Sequence, residues 1–255
     1  MVGKEKLAYG YDNEPTRKSA QAVAAWYFEL FRPASVIDVG CGNGTWLREW
    51  RASGVREIQG VEGLWGKDFD FVIPRDQVLL HDLAQPVHFS RKFDLAMSVE
   101  VAEHLPESAA DCFIDSLAGM SDVVLFSAAV PHQGGWHHFN ERWHDYWIDK
   151  FAARGFRCFD TFRHQFWNDE RVLYWYRQNI MLFVRENRSD IMQVLHDYPP
   201  ACPVLPCVHP ILYLRRCEPF HKLVLRYFDH VRYDLRRRWE VRNFQRRRTR
   251  SGDQG

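Results

Sequence analysis

The chain has 255 residues, 46% hydrophobic and 15% aromatic, enough to bury a substantial core as one large domain with an extension. Its 34 basic and 33 acidic side chains give a formal net charge of +1, which by itself favours neither nucleic acid nor another charged partner. Charges at residues 4–6 and the lack of a long uncharged apolar run argue against a signal peptide and a transmembrane span, and six cysteines without a C-x-x-C pair fit a reducing, cytoplasmic compartment.

The N-terminal region, residues 1–34, is predicted to be an arm followed by one helix. Residues 1–18 are polar and contain Asn13 and Pro15, which predicts the arm. Residues 19–31 carry apolar side chains at helical spacing and open on Ser19, a suitable N-cap. Pro33 ends this helix just before the first strand.

A glycine-rich turn follows a short strand, and the rest of the chain is organised around it. The β-branched run at residues 35–39 predicts the strand, and apolar residues at helical spacing predict a helix over 45–52, ended by Gly54. Three glycines in five residues lie between them, which lets backbone N–H groups at a helix terminus approach a ligand closely. A glycine cluster alone is a weak signal, because any tight strand-to-helix turn can contain one.

The full sequence of this turn and its flanks, VIDVGCGNGTWL, is more informative than its glycine content. An acid two residues before the first glycine, then G-x-G-x-G, resembles motif I of the class I S-adenosyl-L-methionine (SAM) methyltransferases and differs from the G-x-G-x-x-G dinucleotide fingerprint. The resemblance implies SAM as cofactor and S-adenosyl-L-homocysteine (SAH) as product. The cofactor residues that it implies here are Asp38, Gly40, Cys41, Gly42 and Gly44.

An acidic residue ends the second predicted strand. Residues 57–61 form that strand, and Glu62 and Gly63 follow it. About twenty residues past the glycine turn, such an acid is placed to accept hydrogen bonds from both ribose hydroxyls of the cofactor. The alternative interpretation of Glu62 is an exposed carboxylate in a turn.

A third short strand is predicted at residues 78–80, after an irregular stretch at 64–77. Asp82 and Leu83 come directly after it. They resemble the methyltransferase position that hydrogen-bonds the adenine amino group and packs an apolar side chain on the ring. Asp82 could equally cap a following turn.

The fourth predicted strand, residues 93–99, begins the run FDLAMSVEVAEHLP. This run resembles the motif after strand four in class I methyltransferases related to the quinone-biosynthesis O-methyltransferases, and it is more specific than the glycine turn. The resemblance implies that Ser98 and Glu100 border the cofactor. His104 is a competing catalytic base, and its EHL context favours an orienting or structural role.

The alternation of strands and helices predicts an α/β fold with a doubly wound, mostly parallel sheet. The later predicted elements are a helix at 108–120, an apolar strand at 123–128, a helix at 141–154, and strands at 156–162 and 179–184. The resemblance implies a seven-stranded Rossmann-like sheet with an antiparallel last strand. The methyltransferase domain is therefore expected over residues 35–186.

Residues 187–255 are predicted to be a C-terminal extension. Residues 196–210 contain five prolines and must be extended, and residues 236–250 contain eight arginines and one acid. The arginines could contact an anionic surface, although most such runs are solvated. Five side chains have the chemistry of zinc ligands at spacings that match no familiar zinc motif: Cys202, Cys207, His209, Cys217 and His221.

The stretch after strand five brings histidines and a carboxylate together behind a glycine pair. Its sequence FSAAVPHQGGWHHFNE, with the later WYRQN, resembles a bacterial methyltransferase subgroup that is often found with glycan-assembly genes. His138 suits a general base, with Glu141 orienting it or a substrate hydroxyl. The alternative is that His138 and Asn140 anchor the next helix.

A divalent cation is a second possibility for this stretch. His137, His138, Glu141 and Asp145 could meet as a nitrogen and oxygen site that polarises a diol. Their spacing is not diagnostic, so we predict no metal ligands.

The leading functional hypothesis is SAM-dependent O-methylation of a hydroxylated small molecule or glycan. One alternative is a SAM-fold scaffold without methyl transfer, whose basic tail binds anionic partners. A nucleic-acid methyltransferase is disfavoured, because the chain lacks the Asn/Asp-Pro-Pro-Tyr/Phe motif after strand four. The acceptor and the oligomeric state do not follow from the sequence.

Overall fold

The computed structural model describes residues 13–197 and 206–217, and these residues contain a seven-stranded sheet with helices on both faces. The strands are β1 Ser35–Val39, β2 Glu57–Glu62, β3 Val78–Leu80, β4 Leu95–Val99, β5 Val123–Ser127, β6 Phe156–Phe159 and β7 Met181–Arg185. The α-helices are α1 Glu14–Phe31, α2 Thr45–Ser53, α3 Ala110–Met120, α4 His144–Ala152, α5 Thr161–Phe166, α6 Tyr174–Asn179, α7 Ser189–Val194 and α8 Pro210–Arg216.

The sheet has the strand order β3-β2-β1-β4-β5-β7-β6. Strands β1 to β5 pair in parallel, and β7 lies antiparallel to both β5 and β6. The predicted fold class is confirmed, including the antiparallel last strand. The order reverses between β1 and β4, so the crevice where ligands bind in such sheets opens beyond the carboxyl ends of these two strands.

Two hydrophobic layers cover the sheet, because successive side chains of a strand point to opposite faces. In β5, Val123 and Leu125 belong to the layer that contains α1 and α2, whereas Val124 and Phe126 belong to the layer that contains α3 and α4. A strand that is buried on both faces reads as a continuous apolar run, which is why β5 was recognisable from sequence.

The first helix begins five residues earlier than predicted. Its N-cap is Asn13, whose side chain accepts a hydrogen bond from the Thr16 backbone N–H at 2.8 Å. The prediction of Ser19 as the cap is wrong. The Ser19 hydroxyl is buried inside the helix, donating to the Pro15 carbonyl at 2.8 Å and accepting from the Leu173 backbone N–H at 3.0 Å.

Several later boundaries also differ from the prediction. α4 begins at His144 rather than at residue 141, β6 ends at Phe159 rather than at residue 162, and β7 begins at Met181. The aromatic-rich stretch between β6 and β7 forms the short helices α5 and α6, which bury Phe162, Phe166 and Tyr176. Aromatic side chains that favour a strand by propensity are helical here because their burial decides the local structure.

The compact unit that contains the sheet extends to Leu212, past the expected boundary at residue 186. Ile191, Leu195 and Leu212 are all buried, which explains the difference. A second unit begins at Tyr213, and the structure describes only residues 213–217 of it. The arginine-rich segment 236–250 lies outside the described residues.

The structure describes three of the five side chains of the zinc hypothesis. Cys202 and His221 of the zinc hypothesis lie outside the described residues, whereas Cys207 accepts a hydrogen bond from Arg163 at 2.8 Å and His209 contacts the Trp167 carbonyl at 3.1 Å. Cys217 is exposed.

Among the described residues, the helices are all too short or too polar to traverse a lipid bilayer.

Candidate active site

A cavity of about 800 Å³ opens at the carboxyl ends of β1, β2 and β4, where the strand order reverses. One side of its wall contains the glycine turn and Glu62, and another contains His104 and the aromatic residues after β5. We call these two sides the cofactor half and the acceptor half. Six of the eleven predicted cofactor residues and one predicted base thus meet at a single cavity.

The glycine turn fits closely between the strand ends. Gly40 has a φ of 84°, and a Cβ atom there would lie 2.4 Å from a methyl group of Val101. Only glycine combines this left-handed backbone with so little space. After Gly44, α2 begins at Thr45, so the wall of the cavity includes backbone at the N-terminus of a nine-residue helix.

Glu62 closes the cofactor half from the end of β2. Its carboxylate accepts hydrogen bonds from the Gly42 backbone N–H at 2.6 Å and the Gly63 backbone N–H at 2.8 Å. Burial raises the pKa of Glu62 to about 7, even though these two N–H groups and the Trp65 side chain act to lower it. Asp38 is also buried, and burial followed by the nearby Glu62 charge raises the pKa of Asp38 well above its usual range.

The predicted cofactor residues divide into two groups by position. Those on the cavity wall are Gly40, Cys41, Gly42, Glu62, Leu83 and Glu100. Those outside the described wall are Asp38, Gly44, Gly63, Asp82 and Ser98. Ser98 is fully buried and donates to the Val39 carbonyl at 2.8 Å, so its hydroxyl joins β4 to β1. Asp82 is exposed and accepts from the Ala84 backbone N–H at 3.0 Å, the alternative turn-capping role.

Aromatic side chains and histidines form the acceptor half. Trp136 is 58% exposed and Phe139 is 70% exposed, and both line the cavity together with His104 and His137. The ring of Trp136 stacks on His137 with 4.8 Å between centroids and 15° between planes. This half therefore presents flat apolar surfaces beside imidazole nitrogens.

His104 lies on the cavity wall in a short turn, Ala102–His104, directly after β4. Its Nδ1 is 3.1 Å from the His137 carbonyl oxygen, and the backbone of Trp136 also bonds to the ring. Backbone groups thus orient this imidazole. Burial, followed by the nearby His138, lowers the pKa of His104 to about 4. The imidazole is consequently neutral near pH 7, and its lowered pKa makes it a weaker base than an exposed histidine.

His138 lies behind His104, with 4.8 Å between the two ring centroids, and is outside the described cavity wall. Its Nδ1 contacts Glu141 Oε1 at 3.0 Å. Glu141 also accepts hydrogen bonds from the backbone N–H groups of His132 at 2.7 Å and Gly134 at 2.6 Å. Glu141 thus holds the His138 ring and its own loop in one arrangement, and it precedes α4 instead of beginning it.

Glu103 completes a group that the sequence did not reveal. It is fully buried, and neither carboxylate oxygen makes a well-aligned hydrogen bond within the described part of the chain. Burial, followed by the Glu100 charge, raises the pKa of Glu103 well above its usual range, while the backbone N–H groups of Glu103 and Ala129 act weakly in the opposite direction. Such a buried polar group requires a physical explanation.

A cation would provide that explanation. One potential ligand atom from each of Glu103, His104 and His138 lies within 4.8 Å of the others. Two imidazoles and a carboxylate are a donor set that suits several divalent transition metals. This group differs from the one considered from sequence: of His137, His138, Glu141 and Asp145, only His138 belongs to it.

Several residues of the cavity were missed by sequence reasoning. Asn13 and Thr16 come from α1, Trp46 from α2 and Tyr176 from α6, and all four line the cavity. Trp65 and Phe139 were hidden among the abundant aromatic residues. The signal for Glu103 was present in the EVAEHL run, where a second acid after Glu100 stands directly beside His104.

Comparisons with known proteins agree with the fold. A family model described as a methyltransferase domain matches residues 11–169. The solved structure of Streptomyces venezuelae DesVI has a TM-score of 0.51 at 13% identity and covers 68% of this chain and 93% of its own. The methyltransferase domain of bacterial CtHen1-C has a TM-score of 0.50 at 18% identity, covering 66% and 97%.

A third solved structure, magnesium protoporphyrin IX methyltransferase from Synechocystis PCC 6803 with bound SAH, has a TM-score of 0.45 at 18% identity, covering 68% of this chain and 84% of its own. No curated protein sequence matches the chain. The two former structures share the fold, and the family model spans more than half of the chain. The chain therefore belongs to the methyltransferase-domain family, as a class I enzyme whose cofactor is SAM.

Proposed function

We propose that the enzyme transfers the methyl group of SAM to a hydroxyl oxygen of a small ring-bearing acceptor, a sugar or a phenol. The observation that supports this proposal most directly is His104, a neutral imidazole on the wall of the cavity that also contains the glycine turn. Aromatic faces at Trp136 and Phe139 beside it suit stacking on a ring.

The chemistry is an in-line displacement that needs positioning and one proton acceptor. SAM supplies an electrophilic methyl group, which passes to the acceptor oxygen as the C–S bond breaks and leaves SAH. His104 accepts the hydroxyl proton, and the His137 carbonyl oxygen, 3.1 Å from its Nδ1, helps to orient the ring. His138, held by Glu141, packs edge-on against His104 and keeps that ring in place.

On the cofactor side, we propose that Glu62 accepts hydrogen bonds from the ribose hydroxyls, and that the backbone of Gly40 and Gly42 contacts the amino-acid part of SAM. Leu83, which is buried and lines the cavity, packs on the adenine ring. These assignments follow from the strand ends on which the residues lie.

A second candidate mechanism uses a divalent cation. The buried carboxylate of Glu103 favours it, because two imidazole nitrogens lie close to that group and it makes no well-aligned hydrogen bond to residues 13–197 or 206–217. Glu103, His104 and His138 would hold the cation, which would polarise an acceptor hydroxyl and lower its pKa. In this mechanism His104 is a ligand rather than the proton acceptor.

The test uses SAM labelled in its methyl group and three panels of acceptors: methyl glycosides and simple phenols, primary amines, and single-stranded RNA. We expect a methyl ether and SAH in equal amounts from the first panel alone. Transfer only to amines or RNA would overturn the proposal, and tight SAH binding without any transfer would favour the scaffold alternative. Chelator followed by Mg²⁺ or Mn²⁺ separates the mechanisms, because only the cation mechanism loses and regains activity.

A further inference from the structure

A buried network of side-chain amides surrounds the carboxylate of Glu100, which the sequence had suggested as a cofactor contact. Glu100 Oε1 accepts from the Ser127 hydroxyl at 2.8 Å and the Asn179 amide at 3.0 Å, and Oε2 accepts from the Gln133 amide at 2.7 Å. Both oxygens of Glu100 are thus already bonded to protein donors. Charge-assisted hydrogen bonds of this kind are about twice as strong as neutral ones.

The amides also bond to one another. Asn179 donates to the Gln133 side-chain oxygen at 2.8 Å, and Gln178 donates to the Asn179 side-chain oxygen at 2.8 Å. Gln178 accepts in turn from the His209 backbone N–H at 2.7 Å. Gln178 and Asn179 are fully buried, so an amide in this network that lost its partner would face a large desolvation cost.

The network joins segments that are far apart in sequence. Glu100 follows β4, Ser127 ends β5, Gln133 lies in the loop before α4, and Asn179 ends α6. The loop from residue 131 to residue 141 carries Trp136, His137 and Phe139 of the acceptor half, and His138 behind it. The Gln133 side chain connects this loop to the network, because it bonds to both Glu100 and Asn179.

The backbone around the network is strained. Glu100 has a φ of 56°, His132 has 67° and His137 has 56°, three of the four non-glycine residues with positive φ in the described ranges. Left-handed conformations of such residues are unfavourable and persist where the surroundings over-determine them. The bonds that hold Glu100 and the loop supply that constraint.

We propose that Gln133, Gln178 and Asn179 form with Glu100 an amide clamp that positions the loop at residues 131–141 and thereby the acceptor, leaving cofactor binding to the other half of the cavity. Gln133 and Asn179 are positioning residues, because they act through the loop and not on the reacting atoms. The inference rests on the proposed function for its catalytic consequence. Its structural consequence is independent of the acceptor.

The test compares hydrogen exchange of backbone amides in the SAH complexes of wild type, Gln133→Met and Asn179→Leu. Methionine and leucine keep the approximate side-chain volume and cannot donate to Glu100. The probes are the Phe139 and Asn140 amides, which bond to the Glu103 carbonyl at 2.8 and 3.0 Å. Gln59→Met is the matched control, since Gln59 is part-buried and donates to the Gly60 and Gln77 carbonyls on the outer part of the sheet.

Both clamp variants should speed exchange at Phe139 and Asn140 at least tenfold, leave the β4 amides unchanged and keep the SAH dissociation constant within twofold. The control should leave Phe139 and Asn140 as in wild type. The clamp is refuted if these amides exchange normally in both clamp variants, or equally fast in the control. Asn179→Leu also decides the matter should Gln133→Met fail to fold.

A kinetic measurement tests the catalytic consequence. With the fastest acceptor of the glycoside and phenol panel, kcat of Gln133→Met should fall at least tenfold while the KM for SAM stays within twofold, a split that general destabilisation would not produce. Faster loop exchange without methylation of that panel would retain the clamp and reject the proposed function. Methylation with unchanged exchange and kcat would reject the clamp alone.

Discussion

The two halves of the cavity are built by different means. The cofactor half consists mainly of backbone, with the glycine turn between β1 and α2 facing one carboxylate, Glu62, at the end of the next strand. The acceptor half consists of side chains from the turn after β4 and the loop before α4, next to the Glu100 carboxylate and the Gln133 and Asn179 amides that bond to it. Backbone geometry suits a cofactor shared by a family, whereas a wall of side chains can differ between members without changing the fold.

The division between the cofactor half and the acceptor half should be clearest when the His104 side chain is removed. His104→Ala should lower kcat by about 10²–10⁴-fold, because the acceptor hydroxyl loses either its proton acceptor or a cation ligand. SAM affinity should stay within a few-fold, since Glu62 and the glycine turn are untouched. Steady-state rates with the best acceptor and calorimetry with SAM measure the two quantities.

His88→Ala is the control for this variant, because His88 is an exposed histidine outside the cavity. It should behave as wild type. If His104→Ala retains near-full turnover, His138→Ala becomes the variant to test, as the residue first singled out from sequence.

Glu62 provides the opposite test, on the cofactor half. Glu62→Gln should weaken SAM binding at least tenfold, because the ribose hydroxyls lose a charged acceptor worth roughly 1.5–3 kcal/mol. Glu57→Gln, at the exposed start of the same strand, should not change SAM affinity. Calorimetry at one pH gives both values, and equal affinity of wild type and Glu62→Gln would remove Glu62 from the cofactor site.

The same variant has a consequence for stability. The pKa of Glu62 in the folded protein, about 7, lies above its usual 4.5, so its favourable contribution is complete below pH 4.5 and is lost as the pH rises through 7. Glutamine cannot ionise. Without SAM, the melting temperature of Glu62→Gln should therefore rise relative to wild type between pH 5 and pH 8, and a difference that stays constant or shrinks would contradict the burial argument.

Gly135 lies in the loop at residues 131–141 and gives a further test of the acceptor half. A Cβ atom at Gly135 would lie 2.1 Å from His138 Nε2, so Gly135→Ala must displace the imidazole ring. We expect kcat to fall about tenfold with unchanged SAM affinity. Gly119→Ala in α3 meets no atom within 4 Å and should keep wild-type kcat, with helix stability improved by about 0.5–1 kcal/mol. Equal kcat values in the two variants would show that the His138 position does not matter for turnover.

The two halves also differed in how far the sequence could predict them. The glycine turn and Glu62 are local signals at the carboxyl ends of recognisable strands. Because β1 and β2 are parallel neighbours, these two features were expected to lie close together. Ser98 lies outside the cavity wall, because a strand-end position does not tell whether a side chain faces the cavity or the neighbouring strand. Ser98 bonds to β1, and Glu100, two residues on, is strained and held by amides.

The acceptor half, where the sequence had singled out His104, was otherwise hard to predict for a different reason. Glu103 and His138 are 35 residues apart, and their proximity depends on the path of a loop that no periodic pattern describes. The helical periodicity that predicted a helix from residue 141 could not reveal that the Glu141 carboxylate is bonded to the backbone of its own loop. Asn13, Thr16 and Tyr176 reach the cavity only through the packing of α1 and α6.

Asp82 offers the smallest and most discriminating effect, because the sequence and the structure suggest different roles for it. Its side chain is exposed and bonds to the Ala84 backbone N–H, whereas Leu83 beside it is buried against the cavity. An exposed hydrogen bond to adenine contributes about 0.5–1 kcal/mol, so Asp82→Ala should weaken SAM binding about threefold. Asp82→Asn keeps an oxygen for both roles and should bind like wild type, as should the exposed control Asp76→Ala. Calorimetry with SAM distinguishes the cases. A loss of tenfold or more in Asp82→Ala alone would mean that the carboxylate faces the adenine when SAM is bound. Wild-type SAM affinity in Asp82→Ala would mean that Asp82 serves only to cap the turn.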